Sequence, residues 1–177
     1  MASRIPIRLQ LSVALGRTSV RLGYMLGTIF RRPYARMLGL RDAAERDLSR
    51  GRYARAEAKA TELLALAEQF PRDWYYGNAI HYGHLLLGRV AVARGDLARA
   101  GVELLAAGHT PGSPQLNSFG PNCRLALELL RLGEPSPVVE YLQLCTTFWR
   151  SGASRAAAWM DQIRAGTVPD FGPNLVY

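Results

Sequence analysis

The strongest constraint on the fold is a six-residue pattern that occurs twice. Gly51-Arg52-Tyr53-Ala54-Arg55-Ala56 and Gly95-Asp96-Leu97-Ala98-Arg99-Ala100 both read glycine, a variable residue, an apolar residue and then Ala-Arg-Ala. Glycine can close a helix in the left-handed conformation, and small alanines at the start of the next helix let the two approach closely. Each copy therefore marks a helix–turn–helix corner. The flanking stretches carry apolar residues at steps of three and four, which predicts helices over 42–50, 53–70, 74–94 and 97–107, with Asp73 as a cap and Pro71, Gly95 and Gly108 as stops. No segment here alternates with period two over strand length, so the expected class is all-α.

These corners resemble those of the tetratricopeptide repeat. Leu87-Gly88 opens that family's Leu-Gly pattern, with Ala91 in the place of an aromatic residue. Ala100 and Leu104 stand for its Ala/Phe packing pair, and Pro111 lies near its terminal proline. The resemblance covers about 42–111 and implies a scaffold or adaptor that binds another protein. The two corners are 44 residues apart, against a family period of about 34, so the unit is stretched around 71–84. Two degenerate repeats cannot bury a continuous face alone. Further helices, expected over 122–132, 137–150 and 153–165, must cap them. Their apolar residues, among them Val138, Leu142, Phe148, Trp159 and Ile163, read as core.

Charge divides the chain. Arg4, Arg8, Arg17, Arg21, Arg31, Arg32, Arg36 and Arg41 all precede the first acidic residue, Asp42. They account for the whole net charge of +8, because the remaining 14 Lys+Arg are balanced by 14 Asp+Glu. The expected organisation is a basic amphipathic arm over 1–41, led by an amphipathic N-terminal helix, and a helical domain over 42–177. Leu11, Ala14, Leu15, Thr18, Leu22, Met25, Leu26 and Ile29 would share one face of that N-terminal helix. Its longest charge-free run, 22–30, is far short of the roughly twenty residues a membrane span needs. Such a helix either lies on an anionic membrane surface, with Arg4, Arg8, Arg17, Arg21, Arg31 and Arg32 as the contacts, or packs on the domain. A secretory signal fits poorly, because Arg17 interrupts the apolar stretch and no Ala-x-Ala follows, whereas the Arg-rich, acid-free amphipathic start also fits an organellar transit peptide. Nucleic acid is not expected as a partner, since the arm has few aromatic side chains to stack, Tyr24 and Phe30 among them, and no reading module follows.

Cys123 and Cys145 are too few for a disulfide framework and have no companions at metal-ligand spacing. They fit small apolar side chains in a reducing, cytoplasmic compartment. The chain carries no nucleophile elbow, phosphate loop or dinucleotide turn. Two segments remain as candidate sites. The first is Asp73–His84, offering Trp74, Tyr75, Asn78, His81 and His84. His81 and His84 lie one helical turn apart and would need Asp73, Glu103 or His109 to complete a metal site, so neither metal nor cofactor is expected.

The second segment is the stretch 108–122, which has three prolines, three glycines and no visible helical period. It offers Gln115, Asn117, Ser118 and Asn122 as amide and hydroxyl groups, with Leu116 and Phe119 to pin it to the core. Its Phe119-Gly120-Pro121-Asn122 recurs as Phe171-Gly172-Pro173-Asn174, a sensible turn with an aromatic anchor. Two functions follow. In the first, both segments form the recognition surface for a protein partner. In the alternative they close a polar pocket for a small molecule or a reaction, with His81, His84 and Asn117 as its acid–base groups.

Overall fold

A computed structural model describes residues 33–176. Among these residues all regular structure is helical and there is no strand. The six membrane-contact arginines and the amphipathic face assigned to the N-terminal helix lie outside the described residues. Residues 33–49 are helical (α1), and the change in charge at Asp42 falls inside that helix, not at a break. There follow α2 (Tyr53–Gln69), α3 (Tyr76–Ala93), α4 (Leu97–Gly108), α5 (Pro114–Phe119), α6 (Arg124–Arg131), α7 (Pro135–Cys145) and α8 (Ala153–Arg164).

The helices pair as three hairpins, α1/α2, α3/α4 and α6/α7, and each corner has the same geometry. Gly51, Gly95 and Gly133 take φ of +70°, +78° and +84°. In each corner the glycine N–H donates to the carbonyl three residues back, and the next N–H donates five back. Those second bonds are Arg52 to Asp47 at 2.8 Å, Asp96 to Ala91 at 3.0 Å and Glu134 to Leu129 at 3.0 Å. This closure satisfies carbonyls that a helix end leaves orphaned, and it needs a residue that tolerates positive φ. The third corner reads Gly133-Glu134-Pro135-Ser136-Pro137 and lacks Ala-Arg-Ala, so it was not visible as a repeat.

The hairpins are held by two apolar clusters. Ala44 and Leu48 of α1, Ala56 and Ala60 of α2, and Leu86, Leu87 and Val90 of α3 form the smaller one. The larger joins α3, α4, α6, α7 and α8 around Leu104, Leu125, Leu129, Tyr141, Leu142, Trp149 and Trp159. Phe171, from the C-terminal segment, sets its ring edge-on to Trp159, with centroids 5.0 Å apart.

Four expectations are corrected. The helix expected over 42–50 already covers 33–49 among the described residues. The helix expected from 74 starts at Tyr76 with Tyr75 at its cap position, and the Asp73 side chain accepts the Tyr75 N–H at 2.8 Å. The stretch 108–122 contains the short helix α5, because Ser113 accepts a hydrogen bond from the Leu116 N–H at 3.0 Å and Pro114 occupies its first turn. Six residues are too few to display a period. The helix expected over 137–150 starts at Pro135 and ends at Cys145, where Thr146 and Thr147 hydroxyls donate to the Gln143 and Leu144 carbonyls at 2.7 Å. Such local bonds compete with helix continuation.

The repeated tetrapeptide pairs with itself. Asn174 is buried and its amide donates to the carbonyls of Phe119 at 3.1 Å and Pro121 at 2.8 Å. Its own carbonyl accepts from the Cys123 N–H at 2.7 Å. Phe171 is buried, whereas Phe119 is 56% exposed, and of the two expected anchors Leu116 is the buried one. Asn174→Ala leaves two buried carbonyls without this donor. It should lower unfolding free energy by about 2 kcal/mol, read by urea denaturation, and an unchanged midpoint would contradict the pairing.

Candidate functional site

The segments 73–84 and 108–122 do come together, through a seam of satisfied hydrogen bonds. Asn78 is buried; its amide donates to Gln115 Oε1 at 2.7 Å and its oxygen accepts from the Ser113 hydroxyl at 3.0 Å. The Thr110 hydroxyl donates to the Gly77 carbonyl at 2.7 Å. His81, fully buried, lies 3.0 Å from the Ala107 carbonyl through Nδ1 and receives the Asn122 N–H on Nε2 at 3.1 Å. An amide N–H can only donate, so Nε2 is the acceptor and the proton sits on Nδ1. Burial is the main cause that pulls the His81 pKa down to about 4. Tyr141 stacks on the ring and donates its hydroxyl to the Asn122 carbonyl at 2.8 Å.

The groups proposed for acid–base work are therefore not gathered round one cavity. Both nitrogens of His81 are engaged in bonding loop to helix. His84 is half-buried, with Nδ1 2.8 Å from Glu103. Glu103 belongs to a chain of charges that runs through Arg99 and Glu57 to Arg94, linking α3, α4 and α2. Asn117 is exposed on α5, in a shallow depression with Pro111, Thr147, Arg150 and Ser151. Ser118 and Gln115 are also exposed, Tyr75 is buried, and Trp74 is 48% exposed with its ring edge-on to Tyr75. Among the described residues no three His, Cys, Asp or Glu side chains converge as a metal site would require. Burial pushes the Cys123 thiol up, away from the thiolate form that nucleophilic attack uses.

A different place has the features of a site. A pocket of about 300 Å³ is lined by Arg41, Asp42 and Glu45 of α1, by Tyr82, Leu85, Leu86 and Arg89 of α3, and by Asn122, Arg124 and Val176. The first helices of all three hairpins meet here. Residues 82, 85, 86 and 89 fall on one face of α3 by helical spacing. Arg89 donates to both oxygens of Glu45 at 2.7 and 2.9 Å and to Glu128 at 2.9 Å. Arg124 donates to Glu45 at 2.9 Å. Arg41 bonds Asp42 at 2.8 Å and lies over the Tyr82 ring, 5.0 Å from its centroid. Burial alone would weaken the charge on Arg89, but Glu128 and Glu45 outweigh it and raise its pKa.

Of these pocket residues only Asn122 was singled out from the sequence. Arg41 was grouped with the basic stretch, Tyr82 lies inside the 73–84 candidate segment without being selected as a binding residue, and Arg89 and Arg124 looked like ordinary helix residues. The readable signal was the phase of the hairpins, since the first helix of each one contributes. No protein family, curated protein or solved structure matches the chain.

Proposed function

We propose that the protein is a small helical-hairpin scaffold of tetratricopeptide type that binds a protein partner across the face made by α1, α3 and α6. The observation that carries this reading is the pocket itself, because the first helix of every hairpin contributes to it. Three glycine-cornered hairpins also reach the roughly three units that a stacked array needs. A rim of arginines around a Tyr82, Leu85 and Leu86 floor combines the cationic and aromatic groups that dominate interface energetics. The alternative acid–base pocket loses its support, since His81 is committed to the seam and Asn117 lies elsewhere.

The test is affinity capture from host lysate with quantitative mass spectrometry. Wild type is compared with Arg41→Glu/Arg124→Glu and with an Arg155→Glu/Arg164→Glu control on α8, each confirmed folded by circular dichroism. A partner should be enriched by wild type and control and lost from the pocket variant. Equal capture by all three would overturn the reading.

The basic stretch adds a membrane-peripheral element to this proposal. Among the described residues no helix is long and apolar enough to cross a membrane. Full-length protein should sediment with vesicles containing anionic lipid at low salt and be released as salt rises. Changing Arg4, Arg8, Arg17, Arg21, Arg31 and Arg32 together to glutamine should abolish sedimentation. Retention by that variant would remove the element.

A further inference from the structure

We infer that the α1–α3–α6 pocket is a seat for a small amphiphilic monocarboxylate, and that Glu45 is the resident carboxylate the ligand displaces. One cation of the seat, Arg89, is held from outside the pair, while Glu45 and Arg124 are its outer members, with Arg124 42% exposed. The Arg89 side chain is 18% exposed and is braced on its other edge by Glu128, whereas Glu45 is 41% exposed. Rotation of Glu45 into solvent leaves the guanidinium groups of Arg89 and Arg124 facing the vacated position. The present contacts already show that a carboxylate fits there, since it receives three N–H···O bonds from two guanidinium groups.

The remainder of the pocket defines the ligand's body. Tyr82, Leu85 and Leu86 form an apolar floor and Val176 supplies another wall. A volume of about 300 Å³ is at the small end of ligand cavities, which suits a short aliphatic or aromatic acid. Charge balance sets the valence. Arg41, Arg89 and Arg124 are matched by Asp42, Glu45 and Glu128, and Glu45 stays tethered beside the site when it turns outward, so the incoming acid is limited to the single carboxylate that re-pairs Arg89 and Arg124. A dianion would add an uncompensated charge.

This ligand would occupy the surface assigned above to a protein partner, yet the two ideas fail separately. Binding is measured by calorimetry on the full-length chain with phenylacetate and 4-methylpentanoate, with their amides as neutral controls. An N-acetylated, C-amidated Gly-Glu-Gly peptide presents the same carboxylate from a polypeptide. Both free acids should bind and both amides should not. Glu45→Gln removes the resident competitor and should tighten acid binding by about tenfold, while Arg124→Gln should weaken it by about tenfold. The opposite signs are the signature, because general damage to the pocket would weaken binding in both variants. Failure of both acids to bind wild type and Glu45→Gln would overturn the proposal, as would weaker binding by Glu45→Gln. Binding of the peptide in place of the acids would also overturn it, while leaving the scaffold reading intact.

Discussion

Replacing His81 by alanine should lower the unfolding free energy by roughly 4 kcal/mol, the largest effect expected of any single change in the seam. The loss combines a cavity among Tyr82, Tyr141 and Phe148 with two buried backbone groups, the Ala107 carbonyl and the Asn122 N–H, left without the ring. Urea denaturation followed by circular dichroism reads it, and a shift under 1 kcal/mol would show that the seam is not under this histidine's control.

The same residue gives stability a pH dependence. The folded pKa of about 4 lies below the ordinary value of 6.5, so between these limits the unfolded chain binds a proton that the folded one excludes. Stability is therefore full above pH 6.5 and falls as the pH drops towards 4, by roughly 3 kcal/mol in total. Asp47, held low chiefly by its hydrogen bond from Lys59, and Glu57, held low chiefly by Arg94, titrate below their ordinary range and add their losses at lower pH. His81→Gln should flatten the slope between pH 6.5 and 4 while leaving the more acidic loss. An unchanged slope would assign the effect to another group.

Gly77→Ala should cost about 3 kcal/mol for a different reason. A Cβ at Gly77 would stand 1.7 Å from the Gly112 carbonyl oxygen and 3.2 Å from Thr110 Oγ1, so the first turn of α3 and the 110–113 backbone would have to separate. That movement also strains the Thr110 bond to the Gly77 carbonyl and the Asn78 contacts beside it. Gly39→Ala is the matched control. It lies in α1 with nothing within 4 Å of the added methyl, so the same substitution should stabilise by about 0.5–1 kcal/mol through reduced chain entropy. If both changes had the same sign, close approach at Gly77 would not be what requires glycine.

The sequence by itself determined the helical class, the corners at Gly51 and Gly95 and most helix limits, because these depend on local chemistry. A positive-φ glycine after an apolar-periodic run closes a helix wherever it occurs, and Pro71 ends one for reasons confined to its own ring. The third corner has the same physics, but the residues after Gly133 share no pattern with the other two, so its kinship became visible only in the backbone. The two Phe-Gly-Pro-Asn copies mark the limit most clearly. Phe171 is buried against Trp159 and Phe119 is exposed, although their local sequences are identical.

Burial and partners are settled by what arrives from elsewhere in the chain. His81 and Asn122, 41 residues apart, were both singled out as groups for a ligand or partner, and the fold makes them bond each other inside the molecule. The candidate pocket depended still more on tertiary structure. Glu45 lies 44 residues from Arg89 and 79 from Arg124. No local pattern announces that two arginines on separate helices will share one carboxylate on a third. Their meeting follows from how three hairpins stack, and stacking is set by the summed shape of the Ala, Leu and Gly surfaces between them.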